Sequence, residues 1–199
     1  RVLFKDHTNL LGLSEHAIAN HGVIRKFQTP SVFPDHTVFE NMVLSSGRKR
    51  FLATIAARAG SPEQDGIAEV LEQVGLLQHA NERAGTLSHG QKQWLEIAML
   101  LVQSPTLLLL DEPVAGMTRA EKEKTVALLD AIVQRSTCTI VLIEHDMQFV
   151  REIARRGHRV TVLHEGSVLS EGSIERVQSD ERVIEAYLGR GQVSAEAPC

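Results

Sequence analysis

The sequence predicts an α/β protein: a parallel sheet with a block of helices inserted into it. Three observations point there. Short apolar runs, Val23 to Phe27, Thr106 to Leu110 and Thr137 to Ile143, are bounded by turn residues and separated by segments of helical periodicity, the alternation that builds a parallel sheet through crossovers. Capping boxes mark helix starts at Ser61-Pro62-Glu63-Gln64, Ser88-His89-Gly90-Gln91 and Thr118-Arg119-Ala120-Glu121, each pairing a cap hydroxyl with a Glu or Gln three residues on. From about Pro30 to Val102 the pattern is helical throughout.

In chain order, Arg1 to Lys5 reads as the last part of a strand. A short helix follows from about Glu15 to Asn20, with Ser14 as N-cap and Gly22 beyond its end. The strand Val23 to Phe27 is stopped by Gln28-Thr29-Pro30. Within the helical block, the helix opened at Ser61 is closed by Gly75, and the one opened at Ser88 carries Trp94, Leu95, Ile97, Ala98 and Leu101 on one stripe and returns the chain to the sheet. Leu107 to Leu110 reads as a fully buried strand, Thr118 opens another helix, and Thr137 to Ile143 is the next strand. Val160 to His164 and Val168 to Glu171, joined by Glu165-Gly166-Ser167, read as a closing hairpin, with short helices starting near Ser173 and Asp180. The organisation expected is one domain over 1–190, its core formed by 1–29 and 96–190 and its helical subdomain by 30–95, with 191–199 a disordered tail.

Composition bounds the function classes. With 199 residues, 43% of them hydrophobic, the chain can bury a core. No apolar stretch approaches the ~20 residues of a membrane-spanning helix, so a membrane role must run through a partner. A net charge of -4 argues against a nucleic-acid binder, and the cluster Arg48, Lys49, Arg50 reads as a solvated loop face. Two cysteines, Cys138 and Cys199, make no disulfide framework and no apolar signal sequence opens the chain, which fits a reducing cytoplasm. The nine histidines lack metal-site spacing.

Two segments carry the chemistry. Leu107 to Pro113 ends a strand with consecutive carboxylates, Asp111 and Glu112, at the C-terminal edge where open parallel sheets place their ligands. Leu87-Ser88-His89-Gly90-Gln91 opens a helix, and backbone amides at a helix N-terminus attract anions. The first segment resembles the Walker B strand of P-loop ATPases. The second resembles the LSGGQ signature of ABC ATPases, with His89 in place of the first Gly. Gln28 and His145 fall where that family has its Q-loop and H-loop, and Ala115-Gly116-Met117-Thr118 resembles its D-loop. The resemblance runs from Arg1 to about Arg190.

It implies a RecA-like P-loop NTPase core with a helical insert, and ATP and Mg²⁺ as cofactors. Asp111 would hold Mg²⁺, with Gln28 reaching the metal and the attacking water; Glu112 would polarise that water, and His145 would contact the γ-phosphate. Ser88, with the free amides of Gly90 and Gln91, would close over the γ-phosphate held by a second ATPase subunit in a head-to-tail dimer, while His89 points away from the phosphate. Arg25 to Pro30, Leu87 to Glu96, Asp111 to Thr118 and Val183 to Arg190 resemble the urea-type branch of the branched-chain amino acid importer ATPases. By that analogy the partners are transmembrane permease subunits on the inner face of the plasma membrane and, indirectly, a periplasmic or lipid-anchored binding protein, with no nucleic acid. The cargo expected is urea or branched-chain amino acids. A DNA-repair-type ABC ATPase and a regulatory signature donor without its own ATP site are the alternatives. GxxxxGK followed by Ser or Thr occurs nowhere in the 199 residues; without that Walker A loop the chain is expected to be N-terminally truncated and, alone, inactive.

Overall fold

The computed structural model describes residues 1–5, 7–26, 31–46, 62–135 and 137–188. The chain runs β1 (Leu3–Phe4), β2 (Thr8–Asn9), α1 (Glu15–Asn20), β3 (Val23–Lys26), α2 (Val38–Ser45), α3 (Pro62–Gln73), α4 (His89–Leu101), β4 (Leu107–Asp111), α5 (Arg119–Arg135), β5 (Thr139–Ile143), α6 (Met147–Ala154), β6 (Val160–His164), β7 (Ser167–Gly172), α7 (Ile174–Gln178) and α8 (Glu181–Val183). It divides into two compact units, Arg1–His145 and a second beginning at Asp146.

In the first unit β3, β4 and β5 form a parallel sheet in that order. Register places Lys26 beside Leu110 and Asp111 beside Ile143, so the C-terminal ends of all three strands share one edge. Side chains alternate across a strand, and Leu108 and Leu110 are 0% and 1% exposed whereas Leu107, Leu109 and Asp111 are half-buried. The run expected to be fully buried is thus buried on one face only. The element covering that face is α4, which packs on β3.

The opening residues do not feed that sheet. Leu3 and Phe4 pair antiparallel with Asn9 and Thr8, because the Asn9 side chain accepts the Val2 N–H at 3.3 Å and the Val2 carbonyl accepts the Leu10 N–H at 2.9 Å. Strand β5 starts at Thr139, two residues later than expected, while the expected end of β3 at Phe27 lies outside the described residues.

The helix starts follow their caps. Ser14 accepts the Ala17 N–H at 3.3 Å, and the reciprocal boxes at Ser88 and at Thr118 both form. Ser61 lies outside the described residues. A further box, Thr37 with Glu40, starts α2; the pattern Thr37-Val38-Phe39-Glu40 carries the same signal as the others. Helices α2, α3 and α4 pack on one another through Val38, Met42, Ile67, Leu71 and Leu95, none more than 1% exposed. Truncating such a side chain to Ala costs about 2–5 kcal/mol.

In the second unit β6 and β7 form the expected hairpin, its turn made by Glu165 and Gly166 at φ of 49° and 77°, as a type I′ turn requires. Ser173 and Asp180 cap α7 and α8. Helix α6 was not expected from the sequence; Asp146 caps it by accepting the N–H groups of Gln148 and Phe149, both at 3.0 Å.

Candidate functional site

The carboxyl edge of the sheet gathers three of the expected residues. Glu112 leaves β4 with φ of 47°, the left-handed region, which costs a non-glycine residue about 1–2 kcal/mol. Its N–H still donates to the Ile143 carbonyl at 3.0 Å, so the backbone turns immediately after the sheet pairing ends. The turn sets Glu112 Oε1 3.2 Å from Nδ1 of His145. Beside them, Arg25 Nη2 lies 3.1 Å from Asp111 Oδ2; both side chains project from the same face of adjacent strands, as the register dictates. Gln28 lies outside the described residues.

Glu144 belongs to this edge and was not expected. One of its oxygens accepts the Val114 N–H and the other the His145 N–H, each at 3.2 Å. A single carboxylate thereby fixes both the turn after Glu112 and the backbone of His145. Only its position beside His145 could have suggested it, because the bond to Val114 joins residues thirty apart.

A second cluster forms at the N-terminus of α4. Ser88 Oγ accepts the Gln91 N–H at 3.2 Å, and the Gln91 side chain returns the bond by accepting the Ser88 N–H at 2.9 Å. The Gln91 amide, expected to be free, is therefore occupied by the cap; the helix's first amides, His89 and Gly90, have no partner within the helix at this position. Gln91 Nε2 sits 3.2 Å from Nε2 of His79, whose Nδ1 is 3.0 Å from Glu82. Glu121, which caps α5 with Thr118, also reaches Ser88 Oγ at 3.5 Å. The backbone N–H of Thr118 foremost, then its hydroxyl and Ser88, holds the Glu121 carboxyl below the ordinary carboxylate range. Gly90 is buried against that carboxylate, which any Cβ there would strike.

A buried ion pair joins β3 to α4. Lys26 Nζ lies 3.1 Å from Glu96, with side chains 0% and 6% exposed, and Glu96 also accepts the Ser31 N–H at 3.3 Å. Burial pushes the Glu96 carboxyl upward against the opposing pull of Lys26.

Among the described residues no group of three or more His, Cys, Asp or Glu could hold a metal by itself. Mg²⁺ bound with a nucleotide takes most of its ligands from phosphate and water and needs only one or two carboxylates. Asp111 supplies one such carboxylate at the sheet edge, where Arg25, paired with its Oδ2 at 3.1 Å, would have to share it with the ion. No helix among the described residues is long and apolar enough to cross a membrane.

Comparison with known proteins gives consistent matches. The family model described as ABC transporter matches residues 2–115, and that of the branched-chain amino acid ATP-binding cassette transporter matches 167–192. The chain is 37% identical over 192 residues to BraF, a high-affinity branched-chain amino acid transport ATP-binding protein of Pseudomonas aeruginosa, covering 92% of this chain and 74% of that one. It is 36% identical over 196 residues to LivG, the protein of the same description in Escherichia coli, covering 94% and 75%. Among solved structures, the ADP conformation of MJ1267, an ATP-binding cassette of an ABC transporter, superposes with a TM-score of 0.75 at 24% identity over 92% of this chain and 75% of that one, a likeness of fold. The dimeric structure of the bacterial ABC transporter cassette MJ0796 aligns at a TM-score of 0.63 and 26% identity, covering 82% and 68%.

Proposed function

The chain belongs to the ABC transporter family of ATP-binding proteins, and from that premise we propose that it drives uptake of branched-chain amino acids by hydrolysing ATP at sites shared between two subunits. The observation that carries the proposal is the Glu112–His145 contact of 3.2 Å at the carboxyl edge of the sheet. A carboxylate that an imidazole engages through one oxygen is held in place and keeps its other oxygen for a water, whose proton it can draw as the water attacks a phosphoryl group.

In this reading Glu112 orients the water, His145 steadies both Glu112 and the γ-phosphate, and Asp111 holds Mg²⁺. When bound, that ion supplies charge neutralisation across the phosphate oxygens. Gln28 reaches the same water and metal. Ser88 with the first amides of α4 offers hydrogen-bond donors, at the positive end of a helix dipole, to the γ-phosphate of the facing subunit. Gln91 serves as the brace that orients Ser88. The phosphate cradle is expected from a Walker A loop, so the 199 residues alone should hydrolyse ATP negligibly. The dimer would sit against permease subunits at the inner face of the plasma membrane, and those subunits would receive cargo from a binding protein outside it.

Branched-chain amino acids are favoured as cargo by the names of BraF and LivG and by the family match at residues 167–192. Urea is the second reading, favoured by the motif Leu87-Ser88-His89-Gly90-Gln91 and its neighbours. The test of the mechanism is Glu112→Gln in the full-length subunit assembled with its permease, where loss of a general base should lower kcat by at least about 10²-fold. Hydrolysis at the wild-type rate would overturn the assignment of Glu112.

A further inference from the structure

We propose that His89 is a positioning residue that ties the loop at the start of α4 to the turn following Glu112, so that the two move as one body; the proposal rests on the ATPase reading above. The His89 imidazole makes a specific bond. Its Nε2 lies 3.0 Å from the Ala115 carbonyl, an oxygen that can only accept, so Nε2 carries the hydrogen. Gly116 lies under the ring with φ of 72°, and a Cβ there would meet His89 Nε2 at 3.2 Å. The positive φ favours glycine at that position, and a Cβ there would press the ring to shift by a few tenths of an ångström.

The turn that His89 grips is held from its other side. Glu144 takes the Val114 N–H while also holding the His145 N–H, so Val114 and Ala115 are fixed by opposite ends of the site. A continuous chain of bonds thus runs from His145 through Glu144, Val114 and Ala115 to His89, and then to Ser88 at the helix start. In a dimer whose sites each draw Glu112 from one subunit and Ser88 from the other, this chain joins one site's water-holding residues to the loop that completes the second site. A change at either is then felt at both, which is a physical basis for cooperativity.

The experiment measures MgATP hydrolysis by the full-length subunit assembled with its permease, comparing wild type with His89→Ala, His89→Gln, His89→Asn and, as a control on the reading itself, Glu112→Gln. A glutamine amide nitrogen reaches the place of imidazole Nε2, whereas an asparagine amide falls short at the place of Nδ1. The expected result is that His89→Ala and His89→Asn lower kcat about fivefold, the effect of one lost hydrogen bond, and bring the Hill coefficient for ATP toward one, while His89→Gln restores both. Residue 89 is exposed and occupies the first turn of its helix, so thermal midpoints should stay unchanged; should His89→Ala fail to fold, the His89→Gln and His89→Asn pair makes the comparison. Wild-type kcat and Hill coefficient in His89→Ala, or equal rescue by Asn and Gln, would overturn the inference while Glu112→Gln still stalls. Hydrolysis by Glu112→Gln at the wild-type rate would overturn the ATPase reading, and the inference with it.

Discussion

Glu121 has two neighbours to satisfy, and its chemistry can be separated by substitution. Its carboxylate closes the α5 cap with Thr118 and fills the space over Gly90. Adding a methyl group at residue 90 must displace Oε1 of that carboxylate, the oxygen that faces Ser88, and because its other oxygen is tied to Thr118 the displacement strains the cap. Gly90→Ala should therefore cost about 1 kcal/mol, the worth of a cap, and most of that cost should vanish in a Glu121→Ala background, as denaturant titrations of the two singles and the double would measure. The same carboxylate sets a pH dependence. Its folded-state pKa is depressed by Thr118, so the stability it contributes is fully present above the ordinary carboxylate range and is lost as pH falls through the depressed folded value. Thermal midpoints followed from pH 7 into acid should fall less steeply in Glu121→Gln, which keeps the box but cannot titrate.

At the scale of elements, the strongest coupling is between β3 and α4 through Lys26 and Glu96. Both side chains are withdrawn from water, so neutralising one partner leaves the other's charge buried without it. Glu96→Gln keeps the acceptor for Ser31 but removes the charge, and should destabilise the chain by about 3–5 kcal/mol, whereas Lys26→Met with Glu96→Leu should be close to neutral; chemical denaturation of the single and double variants checks this. The pair also marks where sequence reading runs out. Capping boxes at Ser88 and Thr118 were legible because cap and partner are three residues apart, and Asp111, Glu112 and His145 were legible because strand ends and motif spacing put them on one edge. Lys26 and Glu96 are seventy residues apart and look like ordinary charges on a strand and a helix; only the register of the sheet and the packing of α4 bring them together. Glu144 was missed for the same reason. The opening strand was legible but its pairing was not, because the Asn9 side chain, not an apolar pattern, turns the chain back.

At the scale of the molecule, the two clusters on one subunit cannot both belong to one active site if the sites are shared head to tail. Glu112 and His145 would serve the nucleotide on their own subunit, and Ser88 would serve the one across the interface. This arrangement makes a prediction that no single-subunit mechanism shares. Where two copies of this chain pair, a Glu112→Gln homodimer has both sites without their base, and a Ser88→Arg homodimer has both sites with the loop blocked, so each preparation should be inactive. In a mixed dimer the two lesions fall in one site: the Gln at 112 of one subunit faces the Arg at 88 of the other, while the remaining site draws wild-type Glu112 and wild-type Ser88 from opposite chains. Random association makes half the dimers mixed, each with one intact site of two, so mixing equal amounts of the inactive full-length subunits should restore activity, about a quarter of the wild-type rate if the sites work independently and less to the extent that they are coupled. If Glu112 and Ser88 acted on a nucleotide held within one subunit, every chain in the mixture would still carry a lesion in its own site and the activity would stay at the level of the separate variants.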